Sequence, residues 1–292
     1  MSTRRDFLKN VALTAGGVAL TGSLLEANPS KKATPIIVIH GGTSGLGLTQ
    51  EEFLQRKAGM EKSLLAGQKV LSDGGTAIEA VIAAIKVMED DPLFNAGEGA
   101  DKLAKENGLE MVDQKYFFTE VRWNQLQEAK KQKELLLDSD KARAHLGNYT
   151  EPYLGTVGAA ALDAHGNLAA GTSTGGMTNK MTGRIGDSPI IGAGNYADNN
   201  SLALSCTGTG DIFIQAAAAH ETSALYKYKK LSAQKAAEAT IKQVASLGGA
   251  GGIVSVDKNG IPGYAWTSDK LGMFHGEAKV GGKPKVFFPV KK

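Results

Sequence analysis

Cysteine occurs once in the 292 residues, at Cys206, which excludes an intrachain disulfide and any metal centre built on several thiolates. An excess of one charge is missing too. Thirty-three Lys and Arg against 30 Asp and Glu leave a formal +3, and the basic residues are scattered rather than gathered in a stripe. Aromatic residues make up 6% of the chain, and no basic run is interleaved with them. Nucleic acid is therefore not an expected partner. The five histidines (His40, His145, His165, His220 and His275) lack H-E-x-x-H or any comparable spacing, so a zinc site is not expected. Long apolar runs are absent as well. The stretch from Val11 to Leu25 is short and broken by Gly16, Gly17 and Gly22, a poor candidate for a permanent membrane helix.

What is present is 42% apolar residues, 22% charged residues and 37 glycines, a globular, glycine-rich composition. No internal repeat is evident. The length suits one α/β domain. Ahead of it, Thr3-Arg4-Arg5-Asp6-Phe7-Leu8-Lys9 is similar to the twin-arginine export motif, and small Ala27 precedes polar Asn28-Pro29-Ser30. Residues 1–27 thus read as a cleaved signal. The expected location is periplasmic, by the twin-arginine route, with no membrane contact once the signal is removed.

Pro35–Ile39 reads as a buried strand running into a tight turn at His40-Gly41-Gly42. His40 alone, with no partner visible in the sequence, reads as a hydrogen-bonded structural group. Glu51–Leu71 is helical and stops at Ser72-Asp73-Gly74-Gly75. A second helix starts from a capping box at Thr76 and Glu79, presents Ile78, Val81, Ile82, Ile85 and Met88 as its apolar face, and ends at Asp91-Pro92. Asp101–Gly108 and Thr119–Leu137 read as helices, and Lys130–Thr150 as a solvated linker. Short strands follow at Thr156–Leu162, Leu168–Thr172, Ile190–Ala193 and Leu202–Thr207, with a turn at Asp163–Asn167. Asp211–Leu225 and Ser232–Leu247 read as helices. Gly252–Val256 and Ile261–Trp266 read as a hairpin around Asn259-Gly260. Blocks of helices and strands in this order predict an α+β fold.

Four clusters of glycine and small hydroxyl residues lie between Gly155 and Asp211: Gly155-Thr156-Val157-Gly158, Thr172-Ser173-Thr174-Gly175-Gly176, Gly183-Arg184-Ile185-Gly186-Asp187-Ser188-Pro189 and Ser205–Asp211. Such clusters mark close backbone approach or positive φ, and all four are expected around Thr156. A threonine hydroxyl needs a neighbouring base to act as a nucleophile. Cleavage at Gly155–Thr156 would supply one, the new α-amine, whose ordinary pKa of about 7.7–8.0 leaves it partly neutral near physiological pH. Spacing alone also allows a plain strand start here. Other readings stay open: Arg184 and Asp187 as a surface ion pair, Gly208-x-Gly210 as a phosphate turn, and Cys206 as a nucleophile rather than a small buried residue.

Together with His40-Gly41-Gly42 and Pro92-Leu93-Phe94-Asn95-Ala96-Gly97, these motifs make the chain resemble the plant-type L-asparaginase/isoaspartyl peptidase family of N-terminal-nucleophile hydrolases. The resemblance covers roughly Thr34–Gly99 and Gly155 to near the C-terminus. It implies a four-layer αββα sandwich, self-cleaved into chains 28–155 and 156–292, acting on L-asparagine and β-aspartyl dipeptides. It implies Thr156 as nucleophile, oriented by Thr174, with Thr207 and the Gly208 amide on the oxyanion, aided by the dipole of the helix beginning near Asp211. Arg184 would take the substrate α-carboxylate, and Asp187, with Gly208 and Gly210 beside it, the α-ammonium. Asn95 would line the cleavage site with Gly155. No cofactor is implied for catalysis, but a structural sodium ion would sit on backbone carbonyls among Met88, Glu89, Asp91, Phe94, Ala96 and Glu98. A dimer of processed protomers is implied. Between Gly97 and Asp101 the chain is expected to lack a family block of about fifty residues, and with it strands of the core. Glycosylasparaginase activity and a non-catalytic remnant are the rival readings.

Overall fold

Ile36, Ile37, Val38 and Ile39 are all fully buried because both faces of their strand are covered. That strand, β1 (Ile36–Gly45), is central in a five-stranded antiparallel sheet whose order is β3 (Leu168–Gly176), β2 (Gly155–Leu162), β1, β8 (Leu271–Lys279) and β9 (Lys285–Phe287). The computed structural model describes residues 33–45, 49–94, 113–120, 123–124, 126–127, 155–176, 183–267 and 271–288, all within one unit, Ala33–Lys292. The signal reading, the Asp101–Gly108 helix and the Lys130–Thr150 linker lie outside them. Of Thr119–Leu137, residues 119–120, 123–124 and 126–127 are described, and all but Thr119 are helical.

The strand does not turn at His40. It continues with a register shift between His40 and Thr43, where Gly42 takes φ +89°, so the two glycines supply a bulge instead. Ile37 and Ile39 face helices α1 (Gln50–Ser72) and α2 (Ala77–Glu89). Ile36 and Val38 face the second sheet.

Both helices begin on capping boxes, at Thr49 with Glu52 and at Thr76 with Glu79. Ser63 donates to the Ala84 carbonyl at 2.8 Å, tying one helix to the other. The buried face of α2 is Ala77, Ala80, Val81, Ala84 and Met88, which keeps Val81 and Met88 of the expected stripe, with Ile85 packed at its margin, but not Ile78 or Ile82. Ile78 and Ile82 are 63% and 52% exposed. Alanines let α2 approach α1 closely, and this rotates the isoleucines toward a groove against β3.

Strands β2 (Gly155–Leu162) and β3 (Leu168–Gly176) form a hairpin. Its turn is held by Asp163, whose Oδ1 accepts the amides of His165 and Asn167 at 2.8 and 2.9 Å. Asp163 Oδ2 also accepts the first amide of α2, from Ala77. Burial alone would raise the Asp163 pKa, but these donors together hold it below the usual value.

The second sheet is antiparallel with order β4-β5-β6-β7: β4 (Asn195–Ala197), β5 (Leu202–Gly208), β6 (Gly251–Asp257) and β7 (Pro262–Trp266). Helices α3 (Gly210–Gln215), α4 (Ala218–Lys229) and α5 (Ala233–Ser246) cover it through Leu204, Cys206, Ile241 and Ile253. The fold is thus mixed α/β, with two antiparallel sheets and flanking helices.

Two further expectations are corrected and two strands added. Ile190–Ala193 is a turn, closed by the Ala193 amide on the Ile190 carbonyl at 3.0 Å, because Gly192 adopts φ +93° and Ile191 is 79% exposed. The strand lies at Asn195–Ala197. The Asp211–Leu225 helix is broken at Ala217, which takes φ +44°. The amides of Ala219 and His220 bond to the carbonyls of Ala193 and Gly192, so docking on that turn overrides alanine's helix preference. Finally, β8 (Leu271–Lys279) and β9 (Lys285–Phe287) complete the first sheet, and sequence reasoning missed both.

Candidate active site

Thr156 is the second residue of β2 and lies on its inter-sheet face, like Gly158 and Ala160. Its Oγ1 is 3.0 Å from Thr174 Oγ1, directly across the hairpin in the register Thr156–Thr174. Thr174 Oγ1 donates to the Gly155 carbonyl at 3.0 Å and accepts the Gly176 amide at 3.0 Å. A hydroxyl has one proton to give. With that proton on the Gly155 oxygen, Thr156 is the donor within the threonine pair. One side chain therefore polarises the Gly155 carbonyl and receives the proton of the hydroxyl beside it. The glycine spacing permits this geometry: Gly176 takes φ +85°, and the β2–β3 register shifts between Gly155 and Thr156.

Thr207 projects into the same inter-sheet space from β5. Its Oγ1 is fully buried and has no hydrogen-bond partner among the described residues; Thr43 Oγ1, on β1 just past the bulge, is in the same condition. A buried hydroxyl left unbonded costs free energy. Gly208 follows with φ +151°, where a Cβ would strike the Ala250 carbonyl. The helix expected from Asp211 begins at Gly210 and is only six residues long, so its dipole is small.

Gly210 sits beneath Arg184 and Asp187. A Cβ there would lie 2.9 Å from Asp187 Oδ1 and 3.2 Å from Arg184 Nη2, so the three positions converge. Asp187 is buried and Arg184 half-buried, which argues against an exposed surface pair. The three peptide steps from Thr207 to Gly210 span at most about 11 Å, the scale of a small amino-acid substrate. Cys206 faces the helices. Burial, and then the charge of Asp187, push its thiol well above its usual pKa, which suits a small apolar residue and not a nucleophile.

Phe94 fills the core over Gly41 and Gly59. The Met88 carbonyl accepts the Asp91 amide, and the Asp91 carbonyl accepts the Phe94 amide, so both serve the turn after α2. Asn95, expected at the cleavage site, lies outside the described residues, as do Ala96 and Glu98, two of the six positions expected to hold sodium.

Sequence reasoning left His40 without a partner. Its Nε2 is 2.8 Å from Ser205 Oγ, and Ser205 Oγ is 2.6 Å from Thr172 Oγ1. Burial lowers the His40 pKa to about 3, against the opposing pull of the Thr156 backbone carbonyl, so the ring is neutral. The available signal was Gly158: a glycine inside a strand marks close approach of another group, and a Cβ there would collide with Ser205 Oγ.

Stacked antiparallel sheets, with a strand opening on Gly-Thr into a cluster of hydroxyls, define a hydrolase-type scaffold. The family model described as asparaginase matches residues 33–101 and 97–287, and the chain belongs to that family. It is 35% identical to an isoaspartyl peptidase of Escherichia coli (strain K12) over 308 aligned positions, which cover 85% of this chain and 94% of the relative. It is 31% identical to an isoaspartyl peptidase/L-asparaginase of Bos taurus, covering 81% of this chain and 91% of that one. The 308 positions outnumber this chain's 292 residues, so the alignment contains gaps in it. The chain is thus a hydrolase of the asparaginase family.

Proposed function

We propose that this hydrolase is a self-processing threonine amidohydrolase that cleaves the side-chain amide of L-asparagine and the β-aspartyl bond of isoaspartyl dipeptides. The observation that carries the reading is the Thr174 hydroxyl, shared between Thr156 Oγ1 and the Gly155 carbonyl. In the first step Thr156 Oγ1 attacks that carbonyl, its proton passes by way of Thr174 to the departing nitrogen, and an ester replaces the peptide. Water then releases the Gly155 carboxylate and leaves Thr156 with a free α-amine. In turnover that amine serves as base for its own hydroxyl. The hydroxyl attacks the substrate amide, ammonia or an amine leaves, and water hydrolyses the β-aspartyl ester. Thr207 and the Gly208 amide donate to the oxyanion; Arg184, Asp187 and Gly210 hold the α-carboxylate and α-ammonium.

The same proposal takes the three apolar clusters as the seams of a four-layer αββα sandwich. It takes residues 1–27 as an export signal, processed αβ protomers as paired, and a sodium ion as held on carbonyls around 88–98. It includes shortening between Gly97 and Asp101, supported by the division of the family match at 97–101 and by the gaps in the alignment.

Denaturing electrophoresis with N-terminal sequencing tests the reading. The purified protein should give two fragments, one beginning at Thr156, and should release ammonia from asparagine and aspartate from β-aspartyl dipeptides. Thr156→Ala should give one folded, inactive band. A wild-type chain that stays whole would identify a non-catalytic remnant, and preference for glycosyl-asparagine would identify the glycosylasparaginase branch.

A further inference from the structure

Among the described residues the first sheet ends at β3, its outermost strand, which is only half-buried from Ala170 onward. The phase of the β2–β3 hairpin is set at its turn, where the Asp163 amide donates to the Asn167 carbonyl at 3.0 Å. Alternation along an antiparallel ladder then turns the N–H and C=O groups of Ala169, Gly171 and Ser173 toward β2, and those of Leu168, Ala170 and Thr172 outward. The Leu168 amide agrees with this phase: it donates away from the sheet, to Asn199 Oδ1 at 2.7 Å. The main-chain groups of Ala170 and Thr172 have no partner among the described residues. Sheets usually protect such an edge with a lysine, a proline, a bulge or a covering element. From Leu168 to Thr174 this one has neither lysine nor proline, and its register is unbroken. Beside it runs a groove of about 300 Å³, whose other wall is α2 with Ile78, Ile82 and Ile85.

Strand and helix share a midpoint. Gly171, centred in the outward stretch, lies under Val81 and Ile85, where a Cβ would stand 3.1 and 3.0 Å from their side chains. Helix α2 starts at the hairpin turn, where Ala77 meets Asp163, and so runs along β3 in the strand's own direction. A twofold axis through Gly171, perpendicular to the sheet, would therefore set β3 against β3 and α2 against α2, antiparallel in both cases. Ala170 would pair with the partner's Thr172, and Thr172 with the partner's Ala170, each pair exchanging both N–H···O bonds. On the helices, Ile82 would meet the partner's Ile82 and Ile85 across the axis. Lys86 and Glu79 are both exposed and lie about one turn either side of the midpoint. The axis would bring each beside its opposite charge on the partner.

We propose that the β3 edge and the isoleucine groove beside it form a twofold interface between two copies of this chain, joining their first sheets into one. An isologous contact needs a surface complementary to itself, and three features of this one are: donor against acceptor along the strand, isoleucine against isoleucine in the groove, and Lys86 against Glu79 at each end. A strand from an unrelated partner would satisfy the edge but not the helix. The proposal gives the pairing of protomers a place on the molecule and does not depend on Thr156 being the nucleophile. The contact is small beside that of a permanent dimer, so the dimer should dissociate at about 1–100 µM.

Sedimentation velocity across that concentration range should show a reversible monomer–dimer equilibrium in the wild-type chain. Ile82→Glu puts a charge into the seam, and Ala170→Pro removes an outward N–H while leaving the ladder to β2 intact. Each should weaken dimerisation about 30-fold or more, with unchanged far-ultraviolet circular dichroism. A wild type that stays monomeric throughout, its edge left single or covered by its own chain, would overturn the proposal. So would a dimer that either variant leaves unchanged, because the copies would then meet through another face. Should the variants fail to fold, cysteine cross-linking decides the matter. Cys206 is buried, so Ile82→Cys offers the only accessible thiol, and mild oxidation should join two copies by a disulfide at that position. Leu65→Cys, on α1 and as exposed at 51% as Ile82 is at 52%, should give no such product. Equal cross-linking at both positions, or none at either, would sink the interface.

Discussion

Acid should weaken this fold through His40 before the carboxylates titrate. Burial holds the ring's pKa at about 3 in the folded chain, against an ordinary 6.5. As pH falls below about 6.5 the unfolded chain takes up a proton that the folded chain refuses. The stabilisation is complete above 6.5, shrinks through the window from 6.5 to 3, and is gone below it. Each pH unit inside the window costs about 1.4 kcal/mol, so moving from pH 7 to pH 5 should remove about 2 kcal/mol through this one side chain. His275, opposite His40 across β1 and β8, is also lowered by burial and adds in the same direction. Equilibrium denaturation at pH 7, 6 and 5 measures the loss. It should use the Thr156→Ala background, so that unfolding involves one chain, and it should be repeated in His40→Gln to remove the His40 contribution. The two stability–pH lines should diverge by about 2 kcal/mol over that range. Parallel lines would mean that His40 binds its proton equally well folded and unfolded, and the neutral buried relay would be refuted.

Thr207→Ala should lower kcat about 10²–10³-fold, the usual cost of an oxyanion donor, with an unchanged melting temperature because the hydroxyl has no bond to lose among the described residues; steady-state kinetics and calorimetry read both. Thr174→Ala should slow cleavage at Gly155 by about 10²-fold or more, while Thr174→Ser restores it, followed as intact mass against time. Gly158→Ala should cost about 1–3 kcal/mol by overpacking, since its Cβ would collide with Ser205 and stand 2.6 Å from His40 Nε2; an unmoved denaturation midpoint would contradict the placement of that pair. Arg184→Lys loses the planar fork and should raise KM for asparagine about 10–100-fold, the worth of a charged hydrogen bond, with kcat nearly constant.

The parts of the molecule legible in the sequence are those whose causes are local. Glycine and hydroxyl residues after apolar runs mark β2, β3 and β5 to within a few residues, and Thr76 with Glu79 marks the start of α2. The pairing of Thr156 with Thr174 follows once that hairpin is in register. What escaped depends on distant partners. Ser205 reaches His40 across 165 residues, and nothing local announces it beyond Gly158. The break at Ala217 comes from docking on the Gly192 turn, where helix propensity points the other way. Periodicity placed Ile78 and Ile82 on the buried face of α2, but close alanine packing turned them outward. Strand β8 carried a usable signal: Met273 and His275 alternate with Phe274, and Met273 and Phe274 belong to opposite sides of the sheet.

The seam between the sheets changes character along its length, and that gradient explains why the site lies where it does. At one end Ile36, Val38, Leu162, Val254 and Val256 meet in a dry contact. At the other, the same strands present His40, Thr156, Thr172, Ser205 and Thr207. Buried polar groups are tolerated only when their bonds are satisfied. His40 Nε2, Ser205 and Thr172 meet that demand among themselves, as do Thr156 and Thr174, while His40 Nδ1 has no partner among the described residues. They form a rigid floor on which a hydroxyl can be held within a fraction of an ångström. Thr207 and Thr43 are the exceptions in the described structure, with buried hydroxyls and no partner. Among the described residues the deep hydroxyls are bonded except these two, which lie on the inter-sheet face that carries Thr156. Bound substrate should therefore order both side chains, and Thr43→Val, which keeps the shape and removes the hydroxyl, separates a substrate contact at Thr43 from a purely steric role there.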